Sequence, residues 1–165
     1  IVILSIVMAV VSRLFLGAAM GYTSAATRSE LHSELSCALD RIVSEVRLAN
    51  VKASVSPACA DIVSITASSI QWMAPDGFSR TVSLVGTNVQ YSVNGGTAYV
   101  LASNVTTFGV AAYDESNSAL SVSLSGSSVN SVRRIQFTLG GTRQGITETF
   151  RTRVFPRACQ NGAGS

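Results

Sequence analysis

The side chains able to do acid–base, nucleophilic or metal chemistry are few in this sequence. One histidine, three cysteines and nine carboxylates stand among 165 residues. Any Ser/His/Asp or Cys/His centre would have to use His32, because the sequence contains no other imidazole. Zinc takes about four Cys or His ligands at close spacing, whereas Cys37, Cys59 and Cys159 are far apart in the sequence. We therefore expect no enzyme activity, no metal and no cofactor.

The basic residues are concentrated near the end of the chain. Eleven of the twelve are arginines, and six of them follow residue 130, where Glu148 is the one acidic residue. One interpretation is a surface for an anionic partner such as DNA or lipid headgroups. The other is that the arginines occupy solvent-facing positions of late strands, since no aromatic ladder interleaves them. The candidate residues of an anionic-partner face are Arg133, Arg134, Arg143, Arg151 and Arg153.

The three cysteines permit one disulfide and one remaining thiol in an exported domain. A bond between Cys59 and Cys159 would join the two ends of the region that follows the first helix. A bond between Cys37 and Cys59 would instead clamp the connection after that helix, and a fully reduced protein is the third alternative. Of these we favour Cys59–Cys159.

The first segment of the sequence is apolar on every side. Residues Ile1–Val11 read IVILSIVMAVV, and the apolar character continues past Arg13 to Tyr22. As a helix, this stretch would be about 33 Å long, enough to cross the hydrocarbon core of a membrane. A secretory signal would start with basic residues and a globular core helix would carry a polar stripe, and the segment has neither. The residues expected in a membrane or in a bundle of like helices are Ile1, Val2, Ile3, Leu4, Ile6, Val7, Met8, Val10, Val11, Leu14, Phe15 and Leu16.

The helical pattern continues beyond this segment, but with one polar side. Apolar residues recur at steps of three and four, and charged residues lie between them. The pattern predicts one helix of about 50 residues, in which residues 1–24 are the apolar segment and residues 25–50 are the amphipathic half. The apolar stripe of the second half consists of Leu31, Leu35, Leu39, Ile42, Val46 and Ala49.

After residue 50 the apolar period changes from 3.6 to 2, which predicts short strands. Turn sequences between them, including Asn94-Gly95-Gly96 and Gly140-Gly141, indicate an antiparallel meander over residues 51–165. The apolar side of this sheet, with Ile135, Phe137 and Leu139, would be covered by the helical stripe. The predicted fold class is therefore α+β. The predicted strands are Ser69–Met73, Thr81–Val85, Val89–Val93, Ala98–Ala102, Thr107–Tyr113, Leu120–Leu124, Arg134–Leu139 and Thr147–Val154.

Four stretches carry a resemblance to a known family. The apolar run VILSIVMAVV, followed by LDRIVSEVRLAN, resembles the N-terminal helix of type IV pilin-like proteins. The later stretches LASNVTTFGVAAYDESNSALS and VRRIQFTLGGTRQGITETFRTRVFPR are similar to the J-type minor pseudopilins of type II secretion and to the related W-type minor pilins. The resemblance covers nearly the whole chain, although it includes no catalytic signature.

This resemblance implies a pilin-like fold and a structural role. The protein would be a subunit of a type IV pilus-like or type II secretion pseudopilus filament, assembled with its own copies or other pilin-like subunits through the apolar helices. It would reside in the inner membrane before assembly, and then in a periplasmic or extracellular filament at the cell surface. The sequence departs from the family at its front, where Ser5 stands in place of a glutamate. Either the family's glutamate-containing start lies upstream of Ile1, or the subunit lacks this glutamate; we favour the first alternative.

Two other classes of function remain as alternatives. The first is a surface-binding minor pilin, an adhesin or DNA-capturing subunit that uses the late arginines and binds less tightly as salt increases. The second is a membrane-anchored periplasmic enzyme or lipid-binding domain, which predicts a deep pocket with ionisable groups of perturbed pKa.

Overall fold

The computed structural model describes residues 2–52, 54–55 and 59–159, except for the side chains of residues 2–7, 9 and 10. One α-helix, α1, extends over Val2–Arg47 and precedes all the described strands, which gives an α+β fold as predicted. Short 3₁₀ helices occupy Gly126–Ser131 and Arg157–Cys159. The strands are β1 (Val51–Lys52), β2 (Cys59–Ala60), β3 (Ile62–Thr66), β4 (Ser69–Met73), β5 (Ser79–Val85), β6 (Asn88–Val93), β7 (Tyr99–Ala102), β8 (Val105–Tyr113), β9 (Leu124–Ser125), β10 (Arg134–Arg143) and β11 (Ile146–Val154).

The described strands form three antiparallel sheets, so the prediction of one continuous meander is wrong. The largest has six strands in the order β7-β6-β5-β4-β3-β9, the second has the order β11-β10-β8, and β1 pairs with β2. The chain leaves the first sheet after β7 and joins the second with β8. Asn104 lies at this crossing with φ 54°, a left-handed conformation that asparagine adopts more readily than most residues.

The second half of α1 packs against β10 and β11 of the three-stranded sheet, as predicted. Each residue of the helical stripe is buried, with Leu39 and Ala49 the most exposed at 6%. Across from the helix, Ile135, Phe137 and Leu139 have no exposed area. The second half of α1 is apolar on this side alone, and it closes one common core with both larger sheets.

The strands of the structure differ from the predicted ones at several places, including the short strands β1 and β2, which were not predicted. The predicted strand Leu120–Leu124 is reduced to β9 at its end, and Val122 in its middle is 65% exposed. Strand β3 was not predicted, because its apolar residues do not alternate: Ile62 and Ile65 are both buried. A register shift between Ile62 and Ser64, typical of a β-bulge, turns both isoleucines to the same side.

The pair Gly140-Gly141 is not a hairpin turn, contrary to the prediction. Both residues lie inside β10, and the turn to β11 is made by Gln144 and Gly145, at φ 51° and 79°. A Cβ atom on Gly141 would lie 3.3 Å from the Cδ1 of Leu31 and 3.3 Å from the Cδ2 of Leu35. The glycine therefore permits the close approach of α1 to the sheet, which is the reason for its place in a strand.

Candidate functional surfaces

The described side chains in the first half of α1 are not covered by the sheets. Residues 11–26 are all exposed, and Met8 is 64% exposed. Leu14, Phe15 and Leu16 are 68%, 73% and 58% exposed, which leaves a contiguous apolar surface. Among the side chains that the structure describes, Thr27 is the first buried one of the helix, one turn before Leu31. The side chains of the helix thus change from exposed to partly buried between residues 26 and 31.

The most apolar part of this segment is only partly described. Ile1 lies outside the described residues, as do the side chains of Val2, Ile3, Leu4, Ile6, Val7 and Val10. Among the residues that are described, no helix has both the length and the apolar character needed to cross a membrane.

A partly buried polar contact at Glu34 joins α1 to both larger sheets. Its carboxylate accepts hydrogen bonds from the backbone N–H and the hydroxyl of Ser103 and from Nη2 of Arg143, the last at 2.7 Å. Burial alone would raise the pKa of Glu34, but the hydrogen bonds from Ser103 and the charge of Arg143 together lower it. This contact was not predicted, because nothing in the sequence distinguishes Ser103 from the other serines between strands.

Further polar contacts join the helix to the sheets on either side of Glu34. Arg28 pairs with Glu148 of β11, and the hydroxyl of Thr27 donates to Oε1 of Gln144 at 3.1 Å. Near the end of the helix, Glu45 pairs with Arg80 of β5. These contacts lie beside the buried stripe and help to fix the position of the helix on the sheets.

The five arginines predicted as one anionic-partner face are divided by the structure. Arg143 lies on the side of β10 that faces α1 and is paired with Glu34 and Glu30, so it is not available to a partner. Arg133 precedes β10, and its Nη1 donates to the carbonyl oxygens of Asn130 at 2.6 Å and Val132 at 3.2 Å. The prediction is corrected for Arg143, since strand alternation places it on the opposite side from Arg134 and it pairs with acidic residues of α1. For Arg133 it stays a prediction.

The other three arginines share the side of the three-stranded sheet that is turned away from α1. We call Arg134, Arg151 and Arg153, with the aromatic residues Tyr113 and Phe155, the arginine face. The guanidinium of Arg134 lies 5.0 Å from the ring centroid of Phe155, and that of Arg153 lies 4.8 Å from the centroid of Tyr113. Sequence reasoning identified the three cations but not these two rings, which the register brings beside them.

The sulfur atoms of the three cysteines are unbonded in the structure. Cys37 is exposed on α1, whereas Cys59 is buried at the start of the sheets. Sγ of Cys159 accepts a hydrogen bond from the backbone N–H of Ala60, the residue after Cys59, at 3.3 Å. Burial raises the pKa of the Cys159 thiol. The first and last residues of the region that holds the sheets, which we call the sheet region (residues 59–159), therefore lie close together. This is where the predicted Cys59–Cys159 bond would form, and the bond itself stays a prediction.

The remaining candidate for acid–base chemistry is His32, which is exposed on α1. Its ring makes an edge-on contact with Phe150, with the two centroids 4.8 Å apart. In the described part of the chain, no group of three His, Cys, Asp or Glu side chains is placed to hold a metal ion.

No protein-family model matches the chain, and no curated protein resembles it significantly.

Proposed function

We propose that this protein is a structural subunit of a filament of the type IV pilin-like class, with a role like that of the minor subunits of type II secretion pseudopili. The observation that carries the proposal is the change of environment along α1. Leu14, Phe15 and Leu16 are more than half exposed, whereas Leu31 and Leu35 of the same helix are completely buried. An exposed apolar surface of this kind marks a site that another molecule covers.

The partner that best fits the first half of α1 is another helix of the same kind. A helix with apolar residues on all sides needs apolar neighbours all round, and a bundle of like helices supplies them. Each square ångström of apolar surface removed from water contributes about 25 cal/mol, so packing along several turns stabilises a filament core. Before assembly, the inner membrane would cover the same surface. The two larger sheets would then face outward from the filament.

Detergent removal from the full chain tests this proposal. We expect electron microscopy to reveal filaments of the wild-type protein and none of Phe15→Asp, because the charge would be buried without a partner. Val122→Asp is a matched control, since Val122 is 65% exposed on the sheet region and the chemical change is the same. A protein without residues 1–24 should be monomeric and melt cooperatively.

The proposal fails if Phe15→Asp lowers the melting temperature of the sheet region, because Phe15 would then belong to a globular core. It also fails if Phe15→Asp and the wild type form filaments equally well.

A further inference from the structure

The arginine face lies on the outermost strand of its sheet. Strand β11 pairs with β10 on one side, and among the described residues no strand pairs with its other side. Arg151 and Arg153 point away from α1 because they alternate with residues directed toward the helix, such as Phe150, whose ring contacts His32. The free backbone edge and the two exposed cations therefore belong to the same strand.

The three arginines of this face have no acidic partner within the described residues. All six ion pairs found there involve other basic residues. Nε of Arg153 donates to Oε1 of Gln136 at 3.0 Å, and the Tyr113 ring supports the guanidinium from one side. Because Arg153 is held in place without its charge being neutralised, it is prepared to bind an anionic group from outside.

We propose that the free edge of β11 binds an extended acidic segment of a partner protein by strand addition. Alternate residues of any β-strand lie about 6.8 Å apart on the same side. Carboxylates at every second position of an added strand would therefore lie beside Arg151 and Arg153 in register. The backbone of β11 would supply main-chain hydrogen bonds, and the arginines would select for acidic side chains.

A second copy of β11 is a poor occupant of this edge. An antiparallel pair of two such strands centred on Thr152 would place Arg151 of one copy opposite Arg153 of the other. Like charges directly opposite each other destabilise a strand pair. Residues 160–165 of the same chain, QNGAGS, have no acidic side chain to offer. The charges thus point to a different, acidic protein segment.

Single-stranded nucleic acid also fits this surface less well. Binding of that kind relies on open aromatic rings on which bases stack. Tyr113 and Phe155 already carry a guanidinium over one side of the ring. The free edge of β11, in contrast, offers backbone N–H and C=O groups at the spacing with which another peptide strand pairs.

Fluorescence anisotropy with the full chain in mild detergent tests the inference. The probe is a labelled peptide of four Thr-Glu repeats, compared with a peptide of the same composition that has four Glu followed by four Thr. We expect the alternating peptide to bind about tenfold more tightly. The variant Arg151→Gln/Arg153→Gln should lose this binding, whereas Arg41→Gln/Arg47→Gln, which removes the same charge from α1, should retain it within about twofold.

A third peptide separates strand addition from simple charge attraction. It is the alternating peptide with alternate backbone nitrogens methylated, which prevents donation to the β11 edge. Loss of its binding supports strand addition, and equal binding of the methylated or the block peptide overturns it. The inference is also overturned if a twelve-nucleotide mixed-sequence DNA strand binds more tightly than the alternating peptide in an Arg151- and Arg153-dependent way. None of these outcomes depends on filament formation, so they leave the proposed function unaffected.

Discussion

Ser103 donates two hydrogen bonds to the carboxylate of Glu34, from its backbone N–H at 2.7 Å and from its hydroxyl at 2.8 Å. Ser103 lies between β7 of the six-stranded sheet and β8 of the three-stranded sheet, while Glu34 lies in the middle of α1. Arg143, at the end of β10, binds the other oxygen of the same carboxylate. One side chain of the helix thus holds the point at which the chain crosses between the two sheets.

This contact predicts a pH dependence of stability. The pKa of Glu34 is lower in the folded protein than its ordinary value of 4.5, so the unfolded state takes up a proton first as the pH falls. The stabilisation by Glu34 is therefore complete above pH 4.5 and is lost as the pH falls through the lower, folded pKa. We expect Glu34→Gln to reduce the free energy of unfolding by about 1–3 kcal/mol at pH 7.

Thermal melts of the two proteins between pH 7 and pH 3 provide the measurement. The melting temperature of the wild type should fall more steeply below pH 4.5 than that of Glu34→Gln. Glu115→Gln is the control, because Glu115 is exposed in the loop after β8 and should change neither value. Parallel curves for the wild type and Glu34→Gln would contradict the prediction.

The close approach of Gly141 to α1 predicts that even one methyl group is harmful there. In Gly141→Ala the new Cβ would lie 3.1 Å from the carbonyl oxygen of Asn104, besides its contacts with Leu31 and Leu35. We expect a loss of about 1–3 kcal/mol in the free energy of unfolding, as overpacking of a core causes. The measurement is chemical denaturation followed by circular dichroism.

Gly109→Ala is the matched control for this substitution. Gly109 lies on the neighbouring strand β8, on the side away from the helix, and its Cβ would come no closer than 3.7 Å to the Cβ of Thr138. That variant should be neutral or more stable by up to about 1 kcal/mol. Equal effects of the two substitutions would show that the helix does not pack as closely as described.

The positions of the cysteines predict a disulfide between Cys59 and Cys159 when the protein is exported to an oxidising compartment. Mass spectrometry of non-reduced peptides should find these two residues linked and Cys37 free. Because the bond closes a loop of about 100 residues, reduction should lower the free energy of unfolding by about 4–5 kcal/mol. Cys37→Ser should show the same loss on reduction, and a Cys37–Cys59 linkage would contradict the assignment while leaving the fold unchanged.

Features that depend on local periodicity could be predicted from the sequence. The stripe from Leu31 to Ala49 recurs at helical spacing, and β10 alternates at Ile135, Phe137 and Leu139, so both were predicted correctly. Strand β3 was missed because a bulge interrupts its alternation. Gly140 and Gly141 were assigned to a turn because local sequence does not reveal that a helix approaches them from elsewhere in the chain.

The sequence identified the late arginines as a candidate surface, but it did not reveal which of them lie on the same side of the sheet. Arg143 and Arg151 are both late arginines on neighbouring strands, yet one faces α1 and the other faces solvent. That difference depends on the pairing of Thr138 with Arg151, which fixes the side of each residue and arises from contacts distant in sequence. The rings that accompany the arginines were missed for the same reason.

Arg13 provides the last prediction, since it is a charge within the exposed apolar half of α1. In the single chain Arg13 is exposed, but in a filament core its neighbours Leu14 and Phe15 would be covered. An unpaired buried charge is strongly unfavourable, so we expect a carboxylate of another subunit to bind Arg13 in the filament. Arg13→Leu should then reduce the yield of filaments seen by electron microscopy after detergent removal, because the partner carboxylate would be left buried alone. Arg13→Lys should retain most of the yield. If Arg13→Leu assembles as well as the wild type or better, Arg13 has no pairing role.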